Sequence, residues 1–130
     1  MKGVPTMQPE LNMIENLSAA EQEAMSLTRA AVYLDQARAN GRDSVRLVEA
    51  LNNNLELWVF IRAMAESKNS ILPEPLRGNL LKLSSFVAQT TFSQGANISD
   101  SSIDCLININ LQLSEGLLEG QKKTVTALAS

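Results

Sequence analysis

From Leu47 to Ala65 the apolar residues Leu47, Val48, Leu51, Leu55, Trp58, Ile61, Met64 and Ala65 recur at three- and four-residue steps. That period gathers them along one side of an α-helix and scatters them over both faces of a strand. Asp43 stands where its carboxylate can accept the free amides of the first turn, so a helix is expected over 44–67. A helix with one apolar side must bury it against other elements. The rest of the chain supplies further helices.

Ser18-Ala-Ala-Glu21 has capping-box spacing. It opens an apolar stripe through Ala20, Ala24, Leu27, Ala31, Leu34, Tyr33 and Ala37, which reaches Asn40-Gly41, a left-handed stop. A first helix is expected at 18–40. Residues 1–17, with Pro5, Pro9 and scattered methionines, hold no sustained period and read as a mobile N-terminal arm. After the second helix, Ser67-Lys-Asn-Ser70 and Ile71-Leu-Pro-Glu-Pro75 break the helical path, and Pro75 suits the first turn of the next helix. That third helix carries Leu76, Leu80, Leu83, Phe86, Val87 and Thr91 and is expected to end near Phe92, before Gly95.

The last segment satisfies two templates. Ile107-Asn-Ile-Asn-Leu-Gln-Leu113 alternates like a half-buried strand, whereas Ile103, Leu106, Ile107, Leu113, Leu117 and Leu118 lie on a helical face after the cap cluster Ser99-Asp-Ser-Ser102. A lone strand would leave its backbone groups without partners, so helix is chosen, over 102–119. The expected fold is all-α: one domain over 18–130, a compact bundle of about four antiparallel helices joined by short breaks.

Several kinds of chemistry are excluded by what is missing. The 130 residues contain no histidine, and so lack the usual base of nucleophilic and acid–base sites and the commonest metal ligand. The single cysteine, Cys105, permits neither an internal disulfide nor a cysteine-clustered metal site, fits a reducing compartment, and is expected to be inert core. The six glycines are too widely spaced for a phosphate-cradling loop. No enzyme activity, cofactor or metal is expected. The carboxylate pairs Glu21/Glu23, Glu115/Glu119 and Asp100/Asp104 are explained by capping or solvation as readily as by weak cation binding.

No uncharged apolar run is long enough for a signal peptide or a membrane span, so a cytoplasmic protein is expected. Net charge is −3, and residues 83–121 carry four acids and no base, a poor surface for direct contact with nucleic acid. Arg38, Arg42 and Arg46 could form a small basic patch, but a solvated face is the favoured reading.

Three stretches taken together resemble the flagellar biosynthesis regulator FlaF family of α-proteobacteria. Ala50-Leu-Asn-Asn-Asn54-Leu-Glu-Leu57-Trp58 is similar to the family's Ala-Leu-x-x-Asn-x-x-Leu-Trp segment. Leu72-Pro73-Glu-Pro-Leu76-Arg77-Gly-Asn-Leu80 resembles its Leu-Pro-x-x-Leu-Arg-x-x-Leu segment. Leu106-Ile-Asn-Ile109-Asn110, followed by Gly116-Leu117, resembles its Leu-Ile-x-Ile-Asn and closing Gly-Leu. The likeness spans residues 18–119. It implies a cytoplasmic protein that promotes flagellin synthesis and export by binding flagellin, beside a partner regulator called FlbT that acts at flagellin messenger RNA. The alternative it leaves open is a post-transcriptional regulator that works through the FlbT-like partner or the messenger itself.

Within these motifs Trp58 is read as core rather than as an exposed anchor. Asn54 is read as a clamp on the backbone of the 69–75 connection or of a neighbouring helix, because a buried amide must find partners. Asn110, on the same buried side, is open between clamp and ligand contact. Arg77 gains nothing from the dipole of its own helix, which leaves two readings open, a specific carboxylate partner and a solvated arginine. For partner binding the third and fourth helices carry the expectation: Phe86, Val87, Leu106, Ile109 and Leu113 form an apolar groove that takes a terminal amphipathic helix of flagellin. The same apolar excess leaves a homodimer open.

Overall fold

A computed structural model describes the backbone of residues 8–39, 42–68 and 73–129, with side chains within 19–120. Its elements are α1 (Gln8–Arg38), α2 (Ser44–Glu66), α3 (Glu74–Gln94), a 3-10 turn (Gly95–Asn97) and α4 (Asp100–Ala129), with no strand among the described residues. The helical template was therefore the right reading of Ile107–Leu113.

Caps account for most of the boundaries. The Asp43 carboxylate accepts the amides of Val45 (2.9 Å) and Arg46 (3.4 Å) and starts α2 as expected. Ser99 does the same for α4, its hydroxyl oxygen accepting the Ser102 amide at 3.1 Å. Pro73 precedes α3, and Pro75 sits in its first turn. Gly95, at φ +56°, ends α3 in a conformation that costs a glycine little and other residues more.

α1 is longer than the reading from sequence. It begins at Gln8, with Pro9 in its first turn, so the Ser18–Glu21 box lies inside the helix and does not start it. Residues 1–7 of the expected arm lie outside the described residues, as do Asn40 and Gly41 of the expected stop. Among the described residues of this connection Arg42 is left-handed, at φ +60°. α4 likewise runs about ten residues past the expected Glu119.

The order of packing follows the bonds. Arg38 reaches Asp104 (2.7 Å) while Ser114 reaches the Ala24 carbonyl (3.0 Å), so α1 and α4 are antiparallel along their length. Arg77 Nε donates to the Ala65 carbonyl at 2.7 Å and Arg62 to Ser85 at 3.2 Å, which pairs α2 with α3 in the same way. α1 also packs on α2, and α3 and α4 touch least of the packed helix pairs. The core is Leu27, Leu34, Leu47, Leu51, Trp58, Ile61, Val87, Ile98, Ile103 and Leu106 with small alanines between. Each large side chain taken from water contributes roughly 1.5–3 kcal/mol.

Candidate functional site

Trp58 is 1% exposed. Its indole Nε1 donates to Asn110 Oδ1 at 2.8 Å, and Asn110 Nδ2 in turn donates to Asn54 Oδ1 at 2.7 Å and to the Leu27 carbonyl at 3.2 Å. Three helices are thus joined by one buried asparagine from α4. This corrects the expected role of Asn54: it accepts from the Asn110 side chain and clamps no backbone, because it lies in the middle of α2, about four turns before residue 69. Its own Nδ2 has no partner among the described residues. A further link nearby, Ser114 to Thr28 Oγ1 at 3.1 Å, ties α4 to α1.

Of the two readings of Arg77, the structure shows a carboxylate partner, Glu74 at 3.1 Å. More telling is its bond to the Ala65 carbonyl, in the last turn of α2, where free carbonyls and the negative end of the helix dipole favour a cation. Arg77 therefore fastens the start of α3 to the end of α2, whereas Pro73 precedes α3, Leu76 is exposed in its first turn and Leu72 lies outside the described residues.

The arginine patch does not form. Arg38 is engaged by Asp35 and Asp104, and hydrogen bonding to Asp104, followed by that to Asp35, raises its pKa further. Arg42 donates to the Ile98 carbonyl and stands 3.9 Å from Asp100. Cations held by internal acids offer little to a phosphate backbone. Cys105 is exposed rather than core, because it falls on the outer side of α4. Among the described residues no cluster of His, Cys, Asp and Glu could hold a metal, and no helix is long and apolar enough to cross a membrane.

The five expected groove residues divide into two sets. Val87 and Leu106 are fully buried and belong to the core, a correction to their placement on a groove wall. Phe86 is 42% exposed, and Ile109 and Leu113 are half-buried. Helical rotation places the second set. On α3 the flank bearing Arg77, Leu81 and Ser85 is the one bonded to α2, which leaves Leu76, Leu83 and Phe86 on the flank toward α4. On α4 the flank of Ile107, Leu111 and Leu118 lies toward α1, where Ser114 meets Thr28, and Ile109, Leu113 and Leu117 lie toward α3. Helical rotation thus puts both apolar edges on the side where α3 and α4 touch least, next to the core residues Val87 and Leu106.

A second apolar hollow, unforeseen from the sequence, lies between α1 and α4 and is lined by Ala24, Met25, Thr28, Ser114 and Leu118, with Glu21 and Arg29 at its rim. Only contact between distant helices could reveal it. Unlike the α3–α4 cleft, it lies between the most closely packed pair in the molecule.

No curated protein and no solved structure matches the chain. A family model described as flagellar protein FlaF matches residues 11–117, a span that includes the Asn54–Trp58–Asn110 network, the Arg77 fastening and both edges of the cleft. The chain belongs to the flagellar protein FlaF family.

Proposed function

We propose that this flagellar protein binds flagellin in the cytoplasm before export, holding a terminal amphipathic helix of flagellin in the cleft between α3 and α4. The observation that carries the reading is the pair of apolar edges, Leu76, Leu83 and Phe86 of α3 and Ile109, Leu113 and Leu117 of α4, on helices that scarcely touch. An amphipathic helix that has not yet polymerised leaves its apolar stripe in water, and a groove of this kind covers it. Binding promotes flagellin production and export by keeping the subunit soluble. The engagement of Arg38 and Arg42 by internal acids favours a protein partner over messenger RNA.

Calorimetric titration of flagellin, or of a peptide of its terminal helix, tests this. The expected result is a Kd of micromolar or tighter, about 8 kcal/mol, with a negative heat-capacity change from apolar burial. Phe86 is more exposed than Ile109, so Phe86→Glu is the better probe. It should weaken binding at least tenfold while circular dichroism stays native. No heat for the wild-type protein at tens of micromolar would overturn the reading and favour a FlbT-like regulator or the messenger as direct partner.

A further inference from the structure

The hollow between α1 and α4 is a formed cavity of about 250 Å³. A cavity of roughly 150 Å³ already admits a benzene-sized ring, so this one has room for one large apolar side chain. Its walls, Ala24, Met25 and Leu118, are apolar, and its two hydroxyls have no hydrogen to spare. The Ser114 hydroxyl donates to the Ala24 carbonyl at 3.0 Å, so the proton in the 3.1 Å contact between Thr28 and Ser114 comes from Thr28. A carbonyl or carboxylate entering the hollow would lose its water and find no donor there, whereas an apolar side chain loses nothing.

The seam continues beyond the hollow. Helical rotation puts Val32 on the same flank of α1 as Met25, and Leu111 on the same flank of α4 as Leu118. These four side chains are 39% to 52% exposed although they border the most closely packed pair of helices, so what they lack is an outer cover. The charges at the rim say what kind of cover fits. Glu21 and Arg29 stand there eight residues apart on α1, or roughly 12 Å along the axis, and Glu115 follows Ser114 on the outer side of α4. Among the described residues none of these three has an ion pair, whereas Arg38, Arg42, Arg62 and Arg77 are each held by an acid.

We propose that the α1–α4 seam is a second docking site, whose occupant is an amphipathic helix of a protein partner that sets one bulky apolar side chain into the hollow, an acid beside Arg29 and a base beside Glu21. Charges seven residues apart on the partner match that spacing, with the apolar side chain midway. When the acid comes first, the partner runs antiparallel to α1 and its own dipole favours both charges. Two rim carboxylates against one guanidinium make the base worth more than the acid. The proposal does not rest on the flagellin reading, because it uses the flank of α4 turned away from α3.

The test uses the full chain and three designed helical peptides of 18 residues, each with the same leucine stripe and a central Phe. One turn before and one turn after the Phe, the first peptide has Glu and Lys, the second Gln and Gln, and the third Glu and Glu. Calorimetric titration in 50 mM NaCl should find the Glu/Lys peptide about threefold or more tighter than the Gln peptide and the Glu/Glu peptide weakest, with the first difference falling below about twofold in 500 mM NaCl. Replacing the Phe by Ala should weaken binding about tenfold or more. Arg29→Gln and Glu21→Gln proteins should each bind the Glu/Lys peptide about twofold or more weaker and the Gln peptide unchanged. Thr28→Phe fills the hollow and should weaken all three peptides, as should Met25→Ser, an exposed position that serves if circular dichroism shows Thr28→Phe to be unfolded. Phe86→Glu, on α3, should change none of the affinities. Equal binding of the three peptides in 50 mM NaCl overturns the proposal. So does full binding by the folded hollow variants, loss of binding in Phe86→Glu, or no heat from the Glu/Lys peptide at several hundred micromolar.

Discussion

Asn110 joins three partners where Asn54 joins one, and the difference sets what each is worth. Asn110→Leu keeps the volume but strands the Trp58 N–H and the Asn54 carbonyl oxygen in the core. Asn54→Leu leaves Asn110 Nδ2 still bonded to the Leu27 carbonyl and removes an amide nitrogen that has no partner. A buried group left unpaired costs ~1–3 kcal/mol, so urea denaturation should find Asn110→Leu the more destabilising by at least that amount. Trp58→Ala, which adds a large cavity to the loss of the bond, should cost ~3–5 kcal/mol. Glu23 carries a different signature. Partial burial raises its carboxyl above the usual range, so the folded state holds the proton more tightly than the unfolded chain does. The ionised group therefore opposes folding above its folded-state pKa, and the penalty vanishes below the unfolded value. Glu23→Gln should raise the thermal midpoint at neutral pH and leave it unchanged near pH 3.

The ends of the helices, more than their middles, are where this fold is assembled. Arg77 places a cation on the last turn of α2 from the first turns of α3, across a connection that ends at Pro73. Arg77→Met keeps most of the stem and removes the charged hydrogen bond, and chemical denaturation should show a loss of ~1–2 kcal/mol. Arg42 serves the other end. It occupies a left-handed conformation, and its guanidinium spans from the α1–α2 connection to the Ile98 carbonyl ahead of α4. Two substitutions separate these roles. Arg42→Ala loses the guanidinium and keeps the unfavourable φ, whereas Arg42→Gly loses the same bond without the strain. Arg42→Gly should therefore be the more stable of the two by ~0.5–1 kcal/mol in parallel urea melts, and equal midpoints would mean that the backbone there relaxes.

Over the whole molecule, the packing is unequal. α1 binds α4 on one side and α2 on the other, α2 binds α3, and the circuit is left loose between α3 and α4. Along α2 the middle of the bundle is bridged to α4 through Trp58 and Asn110. The cleft thus has the core residues Val87 and Leu106 next to edges that end in water-exposed Phe86 and Leu76. Filling it adds burial to the folded state only, so a bound helix should raise the thermal midpoint of the protein by several degrees at saturating concentration. The Phe86→Glu protein should show no such rise at the same concentration.

The order of four helices, the caps at Asp43 and Ser99, the stop at Gly95 and the burial of Trp58 were all legible in the sequence, because each follows from spacing within a few residues. The start of α1 was not, since a capping box is also a tolerable helix interior when neighbouring turns continue the pattern. Tertiary structure alone decided the partners. Asn54 and Asn110 are 56 positions apart, and nothing local says that one amide will meet the other. It also decided which of five apolar candidates face the cleft. Val87 and Phe86 are adjacent in the chain, and a rotation of about 100° puts one in the core and the other at the surface. Periodicity gives a helix its apolar side, but only the neighbours against which it packs determine how much of that side they cover.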